Sequence, residues 1–392
     1  MLADRVTRME HSPTLRIAAL AGRMKADGVD VLDFSVGQPD FPTPDAAKEA
    51  GKRAIDANRT GYTISEGIVE LRTAIADKLL RDNGLEYSPQ DIIVSPGAKA
   101  SLYFLAMTLF QPGDEVLIPS PYWVSYPEQV RLAEATPVFV PTTEAAGFKL
   151  TPADLAAAVT PRTKAVILNY PSNPTGACYD AAELSALAQV CVEHDLLVIS
   201  DEIYEKLLYD GRVFTSIASL GAEIKARTIV VNGMSKSYSM TGWRLGYAAG
   251  PHDIIDGMAK VQSHSTSNAT SIAQWAGLEA LRSAGDDVER MRQEFEARRN
   301  LIIRRLSAIP GIACAPPAGA FYAFPNVSAH FSGRRITSAL DLAGYLLKEA
   351  RVAVVPGEAF GSPHHIRLSY ACSLTQIEEG MDRVAMALEQ LG

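Results

Sequence analysis

Short runs of β-branched and aliphatic residues alternate with longer amphipathic stretches along most of the chain, and this alternation is the strongest constraint on its fold. Strands interleaved with helices build parallel sheets, because a parallel neighbour needs a crossover long enough to hold a helix. The pattern predicts strands at 91–95, 115–119, 137–140, 165–169, 196–200, 228–232 and 244–249. Helices are expected between them, for example at 101–110 and 181–194, and a long charged one at 289–309 ends at Pro310-Gly311. Beyond it the alternation resumes, with strands at 321–324, 353–355 and 365–370 and helices at 338–350 and 376–391. Ahead of the first sheet strand, a helix at 15–27 leads to an extended run at 31–35. The stiff segment Pro39-Asp40-Phe41-Pro42-Thr43-Pro44 follows. The expected class is α/β, with a large domain at 46–290 and a smaller one built from both chain ends, 1–45 and 291–392.

Composition excludes several classes. With 47% hydrophobic and 21% charged residues, the 392-residue chain has the profile of a globular protein, not a disordered one. Its net charge of −8 argues against a broad nucleic-acid or anionic-membrane surface. No apolar run approaches the roughly 18 residues that span a bilayer. The opening Met1-Leu2-Ala3-Asp4-Arg5 lacks the apolar core of a signal peptide. Cys178, Cys191, Cys314 and Cys372 form no CxxC pair and have no zinc spacing, so no metal is expected. They read as reduced, buried thiols of a cytoplasmic protein.

The chemistry collects where the expected strands end, which is where open parallel sheets place their ligands. After 91–95 comes Pro96-Gly97-Ala98-Lys99, small residues opening a helix. This is either an ordinary turn or an anion-binding helix start. After 115–119 comes Tyr122-Trp123-Val124-Ser125-Tyr126, either an apolar plug or a surface for stacking on a flat ring. Asn173-Pro174-Thr175-Gly176 is a turn by composition, with an amide on offer. Asp201, ending an apolar strand, must either cap a helix or pair with a donor or cation. Ser235-Lys236 stands among small and apolar residues, where a lysine of lowered pKa can form a Schiff base, and Arg244 offers a fork for phosphate or carboxylate. Taken together, the lysine, acid, amide, tyrosine and arginine suit pyridoxal phosphate: a Schiff-base partner, a carboxylate for the ring nitrogen and a phosphate site.

In order and spacing these motifs resemble the class I aminotransferases of pyridoxal-phosphate fold type I, over nearly the whole chain. The similarity is greatest to the bacterial aspartate aminotransferase subgroup. The residues that carry it are Ser235-Lys236, Gly242-Trp243-Arg244-Leu245-Gly246-Tyr247, Asn173-Pro174-Thr175-Gly176, Asp201-Glu202-Ile203-Tyr204 and Ile366-Arg367-Leu368-Ser369-Tyr370. The resemblance implies a large, mostly parallel seven-stranded sheet domain beside a smaller α+β domain. It implies that Lys236 holds the cofactor through a Schiff base and then shuttles the substrate proton. Asp201 would face the ring nitrogen, Asn173 and Tyr204 the ring oxygen, and Trp123 the ring face. Gly97, Ala98, Lys99, Ser235 and Arg244 would surround the phosphate. Tyr62 would reach the phosphate of a neighbouring subunit, making a homodimer with shared sites. Arg367 would bind the substrate carboxylate, with Gly37 approaching it through backbone.

The reaction so implied is ping-pong transfer of an amino group from an L-amino acid to 2-oxoglutarate. Lys99 suits the distal carboxylate of L-aspartate, and Ser12 and Thr14 are further candidates for that pocket, which Glu10 would oppose. Aromatic amino acids or prephenate are alternative substrates, and a carbon–sulfur lyase on the same fold is a further reading. A nicotinamide enzyme would need a GxGxxG turn after a strand, which the chain lacks. Gln38 and Gly233 depart from the family pattern, where glutamate and a small polar residue are common.

Overall fold

The structure is a computed structural model that describes residues 2–7, 9, 13–331 and 336–391. Among the described residues there are twelve strands: β1 Leu32–Asp33, β2 Ile92–Ser95, β3 Glu115–Ser120, β4 Thr136–Pro141, β5 Thr163–Asn169, β6 Leu197–Asp201, β7 Thr228–Gly233, β8 Gly246–Ala249, β9 Tyr322–Ala323, β10 Val352–Ala353, β11 Val355–Pro356 and β12 Ile366–Ser369. Strands β2 to β8 form one seven-stranded sheet in the order β2-β8-β7-β6-β5-β3-β4. The pairs from β7 through β4 are parallel, and β8 runs antiparallel to both of its neighbours. The expected α/β class and mostly parallel sheet are therefore present.

Helices cover both faces, and the inner strands β5, β6 and β7 are mostly aliphatic. Every residue of β2 and β7 is buried. Local chemistry sets several helix starts. Asp180 accepts from the Glu183 backbone while Glu183 reaches back to the Asp180 N–H, a reciprocal cap on helix Ala181–Glu193. Ser373 and Gln376 do the same for helix Leu374–Glu389.

A second body of structure forms from the two chain ends. β1 pairs in parallel with β10, and β11, β12 and β9 make a three-stranded antiparallel sheet. Helices Gly285–Ser307 and Leu374–Glu389 lie against each other there. Phe34, Phe295, Leu342, Leu368, Ile377 and Val384 share one buried cluster, which continues into Tyr204 and Leu207 just beyond β6.

Several local expectations change. Arg244 was expected to open a strand. Instead it has φ +53° after a short 3₁₀ turn, and β8 starts two residues later. The run at 353–355 divides into β10 and β11, which pair with different strands. The helix at 338–350 becomes Ala339–Tyr345 followed by a π turn, Leu346–Ala350. All four thiols are free; Cys178 and Cys191 are buried, whereas Cys314 and Cys372 are only partly so. No helix among the described residues is long and apolar enough to cross a membrane.

Candidate active site

The carboxyl ends of β2, β5, β6 and β7 open on one rim. Because β8 runs antiparallel, its entry segment, carrying Arg244, lies on the same rim. Arg367 of β12 and the segment after β1 close the opposite side. Together they enclose a cavity of about 430 Å³.

Asp201 ends β6, 4% exposed. It caps no helix; its carboxylate accepts from Tyr126 Oη at 2.6 Å and from the Ile203 N–H at 3.2 Å. Burial pushes its pKa up to about 6, against the pull of those two donors. Lys236, just beyond β7, points its amine into the cavity and donates to the Gly37 carbonyl at 2.5 Å. Burial first, then the charges of Arg367 and Arg244, bring its pKa down to about 7. A substantial fraction of its amine is thus free base at neutral pH, the form that attacks a carbonyl or accepts a proton.

The turn after β5 is fixed by Asn169, whose side chain accepts from the Asn173 N–H at 2.8 Å and donates to the Asp201 carbonyl at 3.1 Å. Asn173 in turn accepts from Arg367 Nη1 at 3.0 Å, and Arg367 Nη2 donates to the Ser35 carbonyl at 2.8 Å. Arg367 is 3% exposed, and its Nε is buried without a partner among the described residues. An unfilled donor on a buried guanidinium calls for an acidic ligand. The Arg367 guanidinium also lies 4.5 Å above the Tyr322 ring, and the Tyr322 and Tyr204 hydroxyls are 2.9 Å apart.

On the far side, helix Ala98–Leu109 begins at Gly97 with no side chain capping its first turn, which leaves backbone N–H groups for an anion. Gly97 has φ +92°, and a Cβ there would lie 2.6 Å from Arg244 Nη2. A Cβ on Gly246 would lie 2.1 Å from the Ala98 nitrogen. Two glycines therefore let Arg244 and the helix start converge. Lys99, at the open side, sits 4.9 Å from the Trp123 ring centre. Partial desolvation, then Arg244, lowers its pKa.

These features fit pyridoxal phosphate. The cavity holds an uncapped helix start with Arg244 beside it for phosphate, a buried carboxylate for a ring N–H, an aromatic face and a near-neutral lysine. Among the described residues, no group of three or more His, Cys, Asp or Glu side chains could hold a metal ion.

Of the residues singled out from sequence, Gly37, Ala98, Lys99, Trp123, Asn173, Asp201, Tyr204, Ser235, Lys236, Arg244 and Arg367 all line the cavity. Gly97 stands just behind Arg244. Tyr62 lies outside the cavity, 94% exposed on a single chain. Glu10 and Ser12 are outside the described residues, as is the Thr14 side chain. Tyr126, Asn169 and Tyr322 were not singled out for roles. Tyr126 belongs to the aromatic loop after β3, and its partner, a buried strand-end acid in need of a donor, was the signal available. Tyr322 sits in an apolar strand and gives no such signal.

The chain is similar to known proteins along nearly its whole length. The model of the family "Aminotransferase class I and II" matches residues 29–384. The chain is 51% identical to the aspartate aminotransferase of Geobacillus stearothermophilus, over 99% of each chain. It is 48% identical to a probable aspartate/prephenate aminotransferase of Aquifex aeolicus, over 100% of this chain and 99% of that one. The solved aspartate aminotransferase of Rhizobium meliloti superposes with a TM-score of 0.96 at 43% identity, covering 99% of both chains. The chain therefore belongs to the class I and II aminotransferase family, and it is a pyridoxal-phosphate-dependent transaminase of fold type I.

Proposed function

We propose that the protein transfers the amino group of L-aspartate to 2-oxoglutarate in two half-reactions at the cavity between β6, β7 and β12. The observation that carries this reading is the placement of two cations, Arg367 and Lys99, in the cavity that also holds the Lys236 amine. Both substrates are dicarboxylates, and each cation has a carboxylate to meet.

When bound, pyridoxal phosphate supplies an aldehyde to capture the amino group and a ring to take up the electron pair left at Cα. Lys236 would anchor it, and Arg244, Ser235, Gly97, Ala98 and the first turn of helix Ala98–Leu109 would hold its phosphate. Asp201 would keep the ring nitrogen protonated, Asn173 and Tyr204 would bond the ring oxygen, and Trp123 would face the ring. Arg367 takes the α-carboxylate, with the Gly37 backbone alongside, and Lys99 takes the distal one. The Lys236 amine, once free, would take the proton from Cα and deliver it to the cofactor's aldehyde carbon, two atoms away across the nitrogen, acting as base and then as acid. Its depressed pKa suits both roles near neutral pH.

The relative from Aquifex aeolicus carries a name that pairs aspartate with prephenate. Prephenate also bears two carboxylates, so the same pair of cations accommodates it as a second substrate. We further propose the division into a large domain at 46–290 and a smaller one from 1–45 and 291–392. The functional unit is a cytoplasmic homodimer in which the exposed Tyr62 completes a neighbour's phosphate site.

The test is spectroscopic. L-Aspartate is added, without an oxo acid, to protein loaded with pyridoxal phosphate. The visible band bleaches with release of one oxaloacetate per subunit, and 2-oxoglutarate restores it. Bleaching by phenylalanine but not aspartate moves the donor. Failure to load with pyridoxal phosphate overturns the reading.

A further inference from the structure

Tyr322 is 1% exposed on β9, and nothing in its strand context requires a hydroxyl. That hydroxyl is nevertheless 2.9 Å from Tyr204 Oη, and its ring carries the Arg367 guanidinium at 4.5 Å. A Cβ on Gly37 would approach the same oxygen to 3.1 Å, so the segment that receives the Lys236 amine packs directly on it. Tyr322 thus touches three parts of the site at once: the arginine, the second tyrosine and the lysine's carbonyl partner.

The donor inventory orders this contact. A phenol has one proton to give and lone pairs to accept with. Either hydroxyl of the pair can donate to the other when both are otherwise idle. If Tyr204 gives its proton to a ring oxygen in the cavity, it has none left for Tyr322, and the 2.9 Å contact survives only with Tyr322 as donor. A cation over the Tyr322 ring withdraws electron density from it and strengthens that donation.

We infer that Tyr322 is a positioning residue, its hydroxyl donating to Tyr204 so that the single Tyr204 proton is aimed at the cofactor's ring oxygen. The inference rests on the reading of Tyr204 proposed above. It also links the sites of the two ligands: a carboxylate that neutralises Arg367 weakens the pull on Tyr322, and through it the grip of Tyr204 on the ring oxygen.

The test uses the pyridoxal-phosphate-loaded enzyme and the pH midpoint of its visible absorption change, with Tyr322→Phe, Tyr204→Phe and the double variant. Aiming a proton at the ring oxygen favours its charged form, so losing the aim raises the midpoint. Tyr322→Phe is expected to raise it by about half to one pH unit, the span of one ordinary hydrogen bond. Tyr204→Phe is expected to raise it by at least as much, and the double variant to match Tyr204→Phe alone. A packing role lowers thermal stability but leaves the midpoint in place. An unmoved midpoint in Tyr322→Phe overturns the inference. So does an equal further rise when Tyr322→Phe is added to Tyr204→Phe. If the midpoint of Tyr204→Phe itself equals that of wild type, the Tyr204 assignment falls and takes the inference with it. That outcome is distinct from a wild-type protein that takes up no cofactor, which overturns the proposed function.

Discussion

Arg367 Nη1 donates to the Asn173 side-chain carbonyl at 3.0 Å, tying β12 to the turn that follows β5. The guanidinium is therefore already oriented by its two Nη contacts, and its Nε is without a partner among the described residues. Preorganisation of this kind spares the ligand the entropy of ordering the side chain. Arg367→Ala is expected to cost about a hundredfold or more in kcat/KM, because it removes a buried charge-assisted pair and strands the substrate carboxylate. Steady-state kinetics with aspartate check this; an unchanged kcat/KM removes Arg367 from the site.

Lys236→Ala removes the amine proposed both to anchor the cofactor and to shuttle the substrate proton. Turnover is expected to fall by at least about a thousandfold, in the range lost with a general base. Adding a small primary amine to the assay separates the roles, since it can carry protons but cannot tether the cofactor. Transamination near the wild-type rate in the variant contradicts the assignment.

Tyr126→Phe tests the buried acid. Tyr126 is the first of the donors that hold the Asp201 pKa down against burial, so its loss lifts that pKa above about 6. More Asp201 is then protonated at pH 7, and a neutral carboxyl holds a charged ring nitrogen poorly. kcat/KM is expected to fall about tenfold near pH 7, as for one hydrogen bond to a charged group, and to recover partly at higher pH. The acid limb of the pH–rate profile moves to higher pH; a limb that stays put counts against the role.

Glu202 gives a prediction about stability instead of rate. It follows Asp201 but turns away from the cavity, accepting from Ser200 at 2.8 Å and Ser216 at 2.6 Å, with its second oxygen buried and unbonded among the described residues. Burial raises its pKa to about 8, further helped by Glu205 and opposed by the serines and Lys78. In the unfolded chain the group ionises near 4.5. The folded state therefore binds the extra proton between those values. The stability this provides is full below about pH 4.5 and is lost as pH rises toward about 8. Glu202→Gln keeps the acceptor for both serines and cannot ionise. Its urea midpoint is expected to rise relative to wild type between pH 6 and pH 9. A parallel pH dependence in both proteins contradicts this.

How far the sequence reached follows the physics of each element. The strands of the large sheet are legible within a residue or two, because most of them are buried and read as nearly continuous apolar runs. Arg244 was misjudged as a strand residue because its left-handed backbone serves the close approach of Gly97, a constraint set by a residue far away in the chain. The short strands β1 and β9 are overextended in the sequence reading and β10 is merged with β11, since two-residue pairings have no pattern of their own. In the site, Lys236 and Asp201 stood out because charge is costly at the end of an apolar strand. Tyr126 and Tyr322 did not, because a tyrosine in an apolar run looks like core until its hydroxyl is seen to have a partner.

The pairing of β1 with β10 has a consequence for how the protein is made. Leu32 lies beside Val352, so the partner of an early strand emerges from the ribosome only near the end of synthesis. The seven-stranded sheet has all its strands by Ala249 and can begin to form first. Tyr322 and Arg367 arrive later, and until they do a nascent or prematurely ended chain has the lysine and the acid without that wall of the cavity. Such a chain carries Lys236, Asp201 and Lys99 but lacks Arg367, the cation proposed for the α-carboxylate.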